Sequence, residues 1–162
     1  MNQSIWIICV VALIAVAGAY WMSQNAKRQK EAAKRALADG QQFLKENANK
    51  EGVITLSSGL QYEILQEGAG VRPSINSKVT THYHGTLIDG TVFDSSVKRG
   101  QPATFPLRGV IRGWQEGIPL MMVGAKYRFY IPQELAYGMR SPSPAIPPGS
   151  ALIFDVELLA IQ

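Results

Sequence analysis

Cysteine is nearly absent from this 162-residue chain, which has only Cys9. One thiol forms no intramolecular disulfide, so cysteine usage leaves the redox compartment open. Trp6-Ile7-Ile8 before it are too large for a lipoprotein processing site, and Cys9 reads as a small buried apolar residue. Histidine is almost as scarce, at His82 and His84. On a strand these two share a face, but no third ligand type lies close in sequence, which argues against a metal. No G-x-S-x-G occurs, so a nucleophile-elbow hydrolase is excluded. Gly68-Ala69-Gly70 has no Lys-Ser/Thr after it and reads as a turn, not a phosphate loop. There is no internal repeat. Excess charge is lacking outside one stretch, because five basic residues and one acidic residue in 27–35 supply the whole net +4. A basic nucleic-acid-binding face is therefore not expected.

What the N-terminus has is an uncharged apolar run, Ile5 to Met22. Eighteen residues at helical rise span about 27 Å, close to the thickness of a bilayer's hydrocarbon. Trp6, Tyr20 and Trp21 sit where interfacial aromatics belong. Residues 1–22 are accordingly expected to be a single-pass transmembrane anchor in contact with the lipid bilayer. A signal segment using Ala17-Gly18-Ala19 is the alternative, although residues 1–5 lack the basic residues of a signal peptide. The basic collar at 27–35 favours the cytoplasmic side for the rest of the chain, with the periplasmic side as alternative.

Residues 23–51 are rich in Ala, Lys, Glu and Gln and contain no proline, which predicts a helix. Its apolar stripe of Ala33, Leu37, Phe43 and Leu44 is thin, so a solvated helical stalk is expected, weakened at Asp39-Gly40. From residue 52 to 162 the pattern changes to short β-type runs: 53–56, 61–66, 78–83, 91–93, 104–107, 126–131 and 151–161. In the last, Leu152, Phe154, Val156 and Leu158 alternate with Ile153, Asp155, Glu157 and Leu159, a half-buried strand. Asp89-Gly90 is a hairpin signal. Ile111, Trp114, Ile118 and Met121 fit one face of a helix of two to three turns, ended by Pro119. One short helix against five or six mostly antiparallel strands makes an α+β domain.

Six of the domain's aromatics, Tyr83, Phe93, Phe105, Trp114, Tyr137 and Phe154, fall on or between the predicted strands and at the start of the short helix. If they converge, they form a dry cleft suited to a small apolar ligand or a proline ring. Gly85–Phe93 with Asp94-Ser95-Ser96, Val110-Ile111-Arg112-Gly113-Trp114, Ala136-Tyr137-Gly138, Ile146-Pro147-Pro148 and Leu152–Leu158 then carry a resemblance. Their order and spacing closely resemble the FKBP-type peptidyl-prolyl cis-trans isomerases. Arg99-Gly100-Gln101-Pro102-Ala103 and Gly59-Leu60-Gln61-Tyr62 are similar to bacterial members of the macrophage infectivity potentiator group.

The resemblance implies a curved antiparallel sheet of five to six strands wrapped around one short helix, with a pocket between them. It implies Trp114 as the pocket floor, Tyr83, Phe93, Val110, Ile111 and Phe154 as walls, and Phe105 behind them. Asp94 would sit at the rim, held by Arg99, with Tyr83 as a second candidate. The N–H of Ile111 and the hydroxyl of Tyr137 would bond substrate carbonyls, and Ile146 would close one side. Tyr83, Asp94, Ile111 and Tyr137 are thus the implied catalytic set. The implied activity is rotation about X–Pro bonds in polypeptide substrates, with macrolide-type inhibitors as further ligands and no cofactor. The alternative is a membrane-tethered, non-catalytic binding or chaperone module on the same fold. Two positions depart from the better-known small relatives. Ala103 stands where an aromatic often lines the pocket, and 139–145 is rich in Ser and Pro.

Overall fold

The computed structural model describes residues 3–162, with side chains from residue 13 onward. Helix α1 runs without a break from Gln3 to Asn47, straight through Asp39-Gly40. The strands and short helices that follow are β1 (Val53–Thr55), β2 (Gln61–Gln66), β3 (Lys78–Leu87), β4 (Val92–Ser95), α2 (Ser96–Arg99), β5 (Ala103–Pro106), α3 (Arg112–Gly117), β6 (Lys126–Ile131) and β7 (Leu152–Ile161).

All seven strands join one sheet in the order β1-β2-β6-β7-β3-β4, with β5 also on β3. Each neighbouring pair is antiparallel. The count exceeds the five or six expected. One sheet edge is shared: β4 pairs with the far half of β3 and β5 with its near half, with α2 between them. The Asp89-Gly90 turn joins β3 to β4 as expected, with the Leu87 N–H donating to the Thr91 carbonyl at 2.9 Å and Gly90 at φ 86°. Register breaks in the β2–β6, β3–β4 and β3–β7 ladders bend the strands.

The inner face of the sheet follows the two-residue period. Leu152, Phe154, Val156 and Leu158 of β7, with Tyr127, Phe129 and Ile131 of β6, are buried. Helix α3 lies against this face through two glycines. A Cβ at Gly113 would meet Ile131 Cγ2 at 2.6 Å, and one at Gly117 would meet the Phe129 ring at 2.5 Å. The helix is shorter than the periodicity predicted. After Gly117 the chain tightens into a 3₁₀ turn, Ile118–Leu120, which absorbs Pro119.

Two expectations about the N-terminal region need correction. Among the described residues no helix is long and apolar enough to cross a membrane. This overturns the single-pass anchor, its lipid contact and the membrane-face assignment built on it. The apolar stretch with described side chains, Leu13 to Met22, covers about 15 Å at helical rise, half of a ~30 Å hydrocarbon layer. The part of the expected span in residues 1–12, including Cys9, lies outside the described side chains. Secondly, the stalk is solvated only in part. Ala33 and Asn47 are buried, Phe43 meets Tyr130 with ring centroids 6.0 Å apart, and Gly40 lies against Ala151.

Candidate active site

The short helix and the sheet's inner face are both apolar, and their aromatics meet in one place. Trp114, on the first turn of α3, is edge-on to Tyr83 of β3 at 5.3 Å and to Phe154 of β7 at 5.0 Å between centroids. Phe93 of β4 stands edge-on to Phe154 at 5.3 Å, and Phe105 of β5 lies 5.3 Å from Trp114. These edge-to-face arrangements are the favourable ones for ring quadrupoles. Gly85 makes the cluster possible, because a Cβ there would be 2.7 Å from the Phe93 ring and 2.8 Å from Phe154.

The rings border a cavity of about 500 Å³. Ten of the eleven residues expected at the site line it: Tyr83, Phe93, Asp94, Phe105, Val110, Ile111, Trp114, Tyr137, Ile146 and Phe154. Arg99 does not line the cavity but is bonded to two residues that do. Sequence reasoning missed Gly109, Pro142 and Ser143, which complete the lining. The Ser-Pro composition of 139–145 was the available signal for the last two. Gln115 was missed too. Its Nε2 donates to the Val110 carbonyl at 2.8 Å and holds the turn that carries Val110 and Ile111.

Four elements bring the polar groups to the rim. Asp94 leaves β4 just before α2. Ser95 caps α2, its Oγ accepting from the Lys98 N–H at 3.1 Å. Gly100 then closes the helix, which aims Arg99 back at Asp94. The Tyr83 hydroxyl donates to Asp94 Oδ2 at 2.6 Å and accepts from Arg99 Nη2 at 2.9 Å. Arg99 Nη1 donates to Asp94 Oδ1. Burial pushes the Asp94 carboxyl up, but the bonds from Tyr83 and Arg99 and the guanidinium charge outweigh it, so its pKa lies below the ordinary carboxylate value. Burial raises the Tyr83 hydroxyl, and its bond to Asp94 adds to the shift. Burial likewise raises Tyr137, helped by the Asp94 charge. Both phenols therefore keep their protons at neutral pH and can donate them.

Ile111 sits just before α3, its carbonyl accepting from the N–H groups of Trp114 and Gln115. Among the described residues no carbonyl accepts the Ile111 N–H. His82 and His84 stay outside the cavity lining, with Nδ1 atoms 3.0 Å from Ser96 Oγ and 2.9 Å from Ser95 Oγ. Among the described residues no group of three or more His, Cys, Asp or Glu is placed to hold a metal ion.

Residues 70–159 match the FKBP-type peptidyl-prolyl cis-trans isomerase family. Residues 12–64 match the domain amino-terminal to FKBP-type peptidyl-prolyl isomerases. The chain is 56% identical over 124 residues to the FKBP-type 22 kDa peptidyl-prolyl cis-trans isomerase of Escherichia coli, covering 76% of this chain and 60% of that protein. It is 54% identical over 120 residues to the peptidyl-prolyl cis-trans isomerase Mip of Coxiella burnetii, covering 74% of this chain and 52% of the relative. The chain thus spans somewhat more than half the length of these relatives. Among solved structures, FkpA from Escherichia coli superposes with a TM-score of 0.88 at 39% identity, over 94% of this chain and 71% of that one. The sequence match extends over the strands and turns that build the aromatic cavity, so the chain belongs to the FKBP-type peptidyl-prolyl cis-trans isomerase family.

Proposed function

We propose that this chain catalyses cis-trans isomerisation of X–Pro bonds in polypeptide substrates, with residues 52–162 as the isomerase unit and 23–51 as its helical stalk. One observation carries the reading. Six aromatic rings border a cavity whose fixed charge is confined to one rim carboxylate, already paired with Arg99.

The physical case follows from the amide itself. Rotation about its C–N bond faces a barrier of about 18–20 kcal/mol, because the nitrogen lone pair is delocalised onto the carbonyl. In the twisted state that delocalisation is lost and the amide is less dipolar. A water-poor aromatic surface then stabilises the twisted state more than the planar one, which is the differential binding catalysis needs. Each ~1.4 kcal/mol of that difference is worth about tenfold in rate. In this reading Trp114 lies under the proline ring, and Tyr83, Phe93, Val110 and Phe154 surround it, with Phe105 behind. The Ile111 N–H and the Tyr137 hydroxyl hold flanking carbonyls while the bond turns. Asp94, held by Arg99 and Tyr83, faces the rotating carbonyl side, and Ile146 closes the remaining gap. No nucleophile or cofactor enters the reaction. A macrolide-type inhibitor would occupy the same space, since a cavity of about 500 Å³ is in the range for drug-sized ligands.

A protease-coupled assay on a proline-containing tetrapeptide tests this. The full chain should accelerate isomerisation, and Trp114→Ala and Phe93→Ala should each remove most of the activity. Tyr137→Phe should lower it modestly. Tight peptide binding with no acceleration would make the chain a non-catalytic holder of proline segments, and full activity in Phe93→Ala would put the chemistry elsewhere.

A further inference from the structure

We propose that α1 is part of the apparatus that shapes the pocket: Ala33, Leu37 and Gly40 are positioning residues for its loop wall, so the placement of α1 sets substrate affinity. This rests on reading the cavity as an isomerase site.

Most of the cavity is lined from β3, β4, β5, β7, α3 and the turn before α3. The remaining wall is the loop between β6 and β7, which contributes Tyr137, Pro142, Ser143 and Ile146. No strand pairing holds this loop. It closes on itself at a neck, where the Gly149 N–H donates to the Gly138 carbonyl at 2.8 Å. Tyr137 is the residue before one side of that neck, and Ile146 lies three before the other.

The neck rests on α1. A Cβ at Gly149 would lie 3.0 Å from the Ala33 carbonyl oxygen, 3.2 Å from Leu37 Cβ and 3.3 Å from Met139 Sδ. Glycine is doubly required there, since Gly149 has φ 79°. Two residues on, a Cβ at Gly40 would lie 3.0 Å from Ala151 Cβ. Positions 33, 37 and 40 fall on one helical face, and 44 and 47 continue it. The lower end of this stripe is fixed to the sheet. Gln61 Nε2 donates to the Leu44 carbonyl at 2.8 Å, and Asn47 Nδ2 to Gln61 Oε1 at 2.9 Å. The helix is thus anchored on β2 at one end and braces the pocket loop four turns earlier. A tilt of α1 moves the loop neck, and with it Tyr137 and Ile146. Trp114, Tyr83, Phe93 and Phe154 stay with the sheet and α3.

Gly40→Leu tests the inference in the full chain. Leucine strengthens the helix itself, so a loss of function cannot come from melting α1. The added side chain drives the helix off Ala151. KM for the tetrapeptide should rise about fivefold with kcat nearly unchanged, as expected when binding is lost equally from ground and transition states. Hydrogen exchange should quicken across 138–149 and stay unchanged in β3, β6 and β7. The transposed pair Gly40→Ala/Ala151→Gly moves the methyl across the contact and should restore both readouts. Unchanged KM in Gly40→Leu overturns the inference, and so does a rise that the transposed pair reproduces. If the wild-type chain proves inactive, the isomerase reading fails. A loop that still loosens in Gly40→Leu and recovers in the transposed pair would then uphold the brace alone.

Discussion

Asp94 is the one fixed charge in the cavity lining, and three features of its surroundings decide how the site responds to pH. Tyr83 and Arg99 donate to its two oxygens, and the guanidinium faces it. Together they outweigh the burial that pushes it up, and they hold its pKa below the ordinary value. The sign follows directly. A depressed folded pKa favours the charged form, so this contribution is complete above the unfolded value of about 3.9 and disappears as pH falls through the folded one. Both pocket phenols are raised above their ordinary value and stay neutral well past the neutral range. We therefore expect kcat/KM to be flat from about pH 5 to 9, with a decline only on the acid side. Arg99→Leu should move that decline to higher pH, since the cation that favours the carboxylate is gone. A pH–rate profile on both proteins checks this. A break inside that window would show that a group other than Asp94 and the two phenols controls the rate. The residues of this site were legible because aromatics and a lone acid recur at family spacings. Pro142 and Ser143 were not, because a loop's inward side has no period to read.

At the scale of elements, what sequence revealed is what repeats over several residues. The alternation Leu152-Phe154-Val156-Leu158 is a half-buried strand in both the pattern and the structure. Helix α2 has four residues, fewer than two turns, and leaves no periodic trace. The split of one sheet edge between β4 and β5 is a tertiary fact about β3 and has no local sign. The length of α3 was misjudged because apolar spacing continues through Ile118 and Met121 while the backbone tightens to 3₁₀ at Pro119. The glycines of α3 carry more information than their propensity implies. Gly113 and Gly117 cost helix stability, yet they let the helix approach Ile131 and Phe129 closely enough to put Trp114 under the cavity. Gly117→Ala should destabilise the domain by about 1–3 kcal/mol in chemical denaturation, as overpacking does. Phe129, which the added methyl would meet, is fully buried and has no room to give. A gain in stability from helix propensity alone would show that α3 is less closely held than these contacts require.

At the scale of the whole molecule, the composition of α1 pointed away from its role. Ala-rich, charged sequence reads as a solvated stalk, Gly40 as a weak point within it, and Asn47 as the start of its poorly helical end. In the fold both are contact points. Asn47 is fully buried and Gln61 nearly so, and their amides bond to each other while Gln61 also bonds the Leu44 carbonyl. This pair ties the end of α1 to β2, and through β2 to β6 and the rest of the sheet. Its energetics rest on what deletion leaves behind. Asn47→Ala takes the donor from Gln61 Oε1 in a site closed to water, which should cost about 1–3 kcal/mol. The double variant with Gln61→Ala should cost less than the sum of the single changes, with a coupling of about 0.5–3 kcal/mol. Urea denaturation followed by far-ultraviolet circular dichroism gives all four corners of that cycle. In Asn47→Ala, amide exchange should quicken over 33–47 before it does in β6 and β7, because the sheet keeps its own core when the tether is cut. A coupling near zero would leave the Phe43–Tyr130 contact and the brace at Gly149 to hold the helix, and the amide pair would then be a consequence of docking, not its cause.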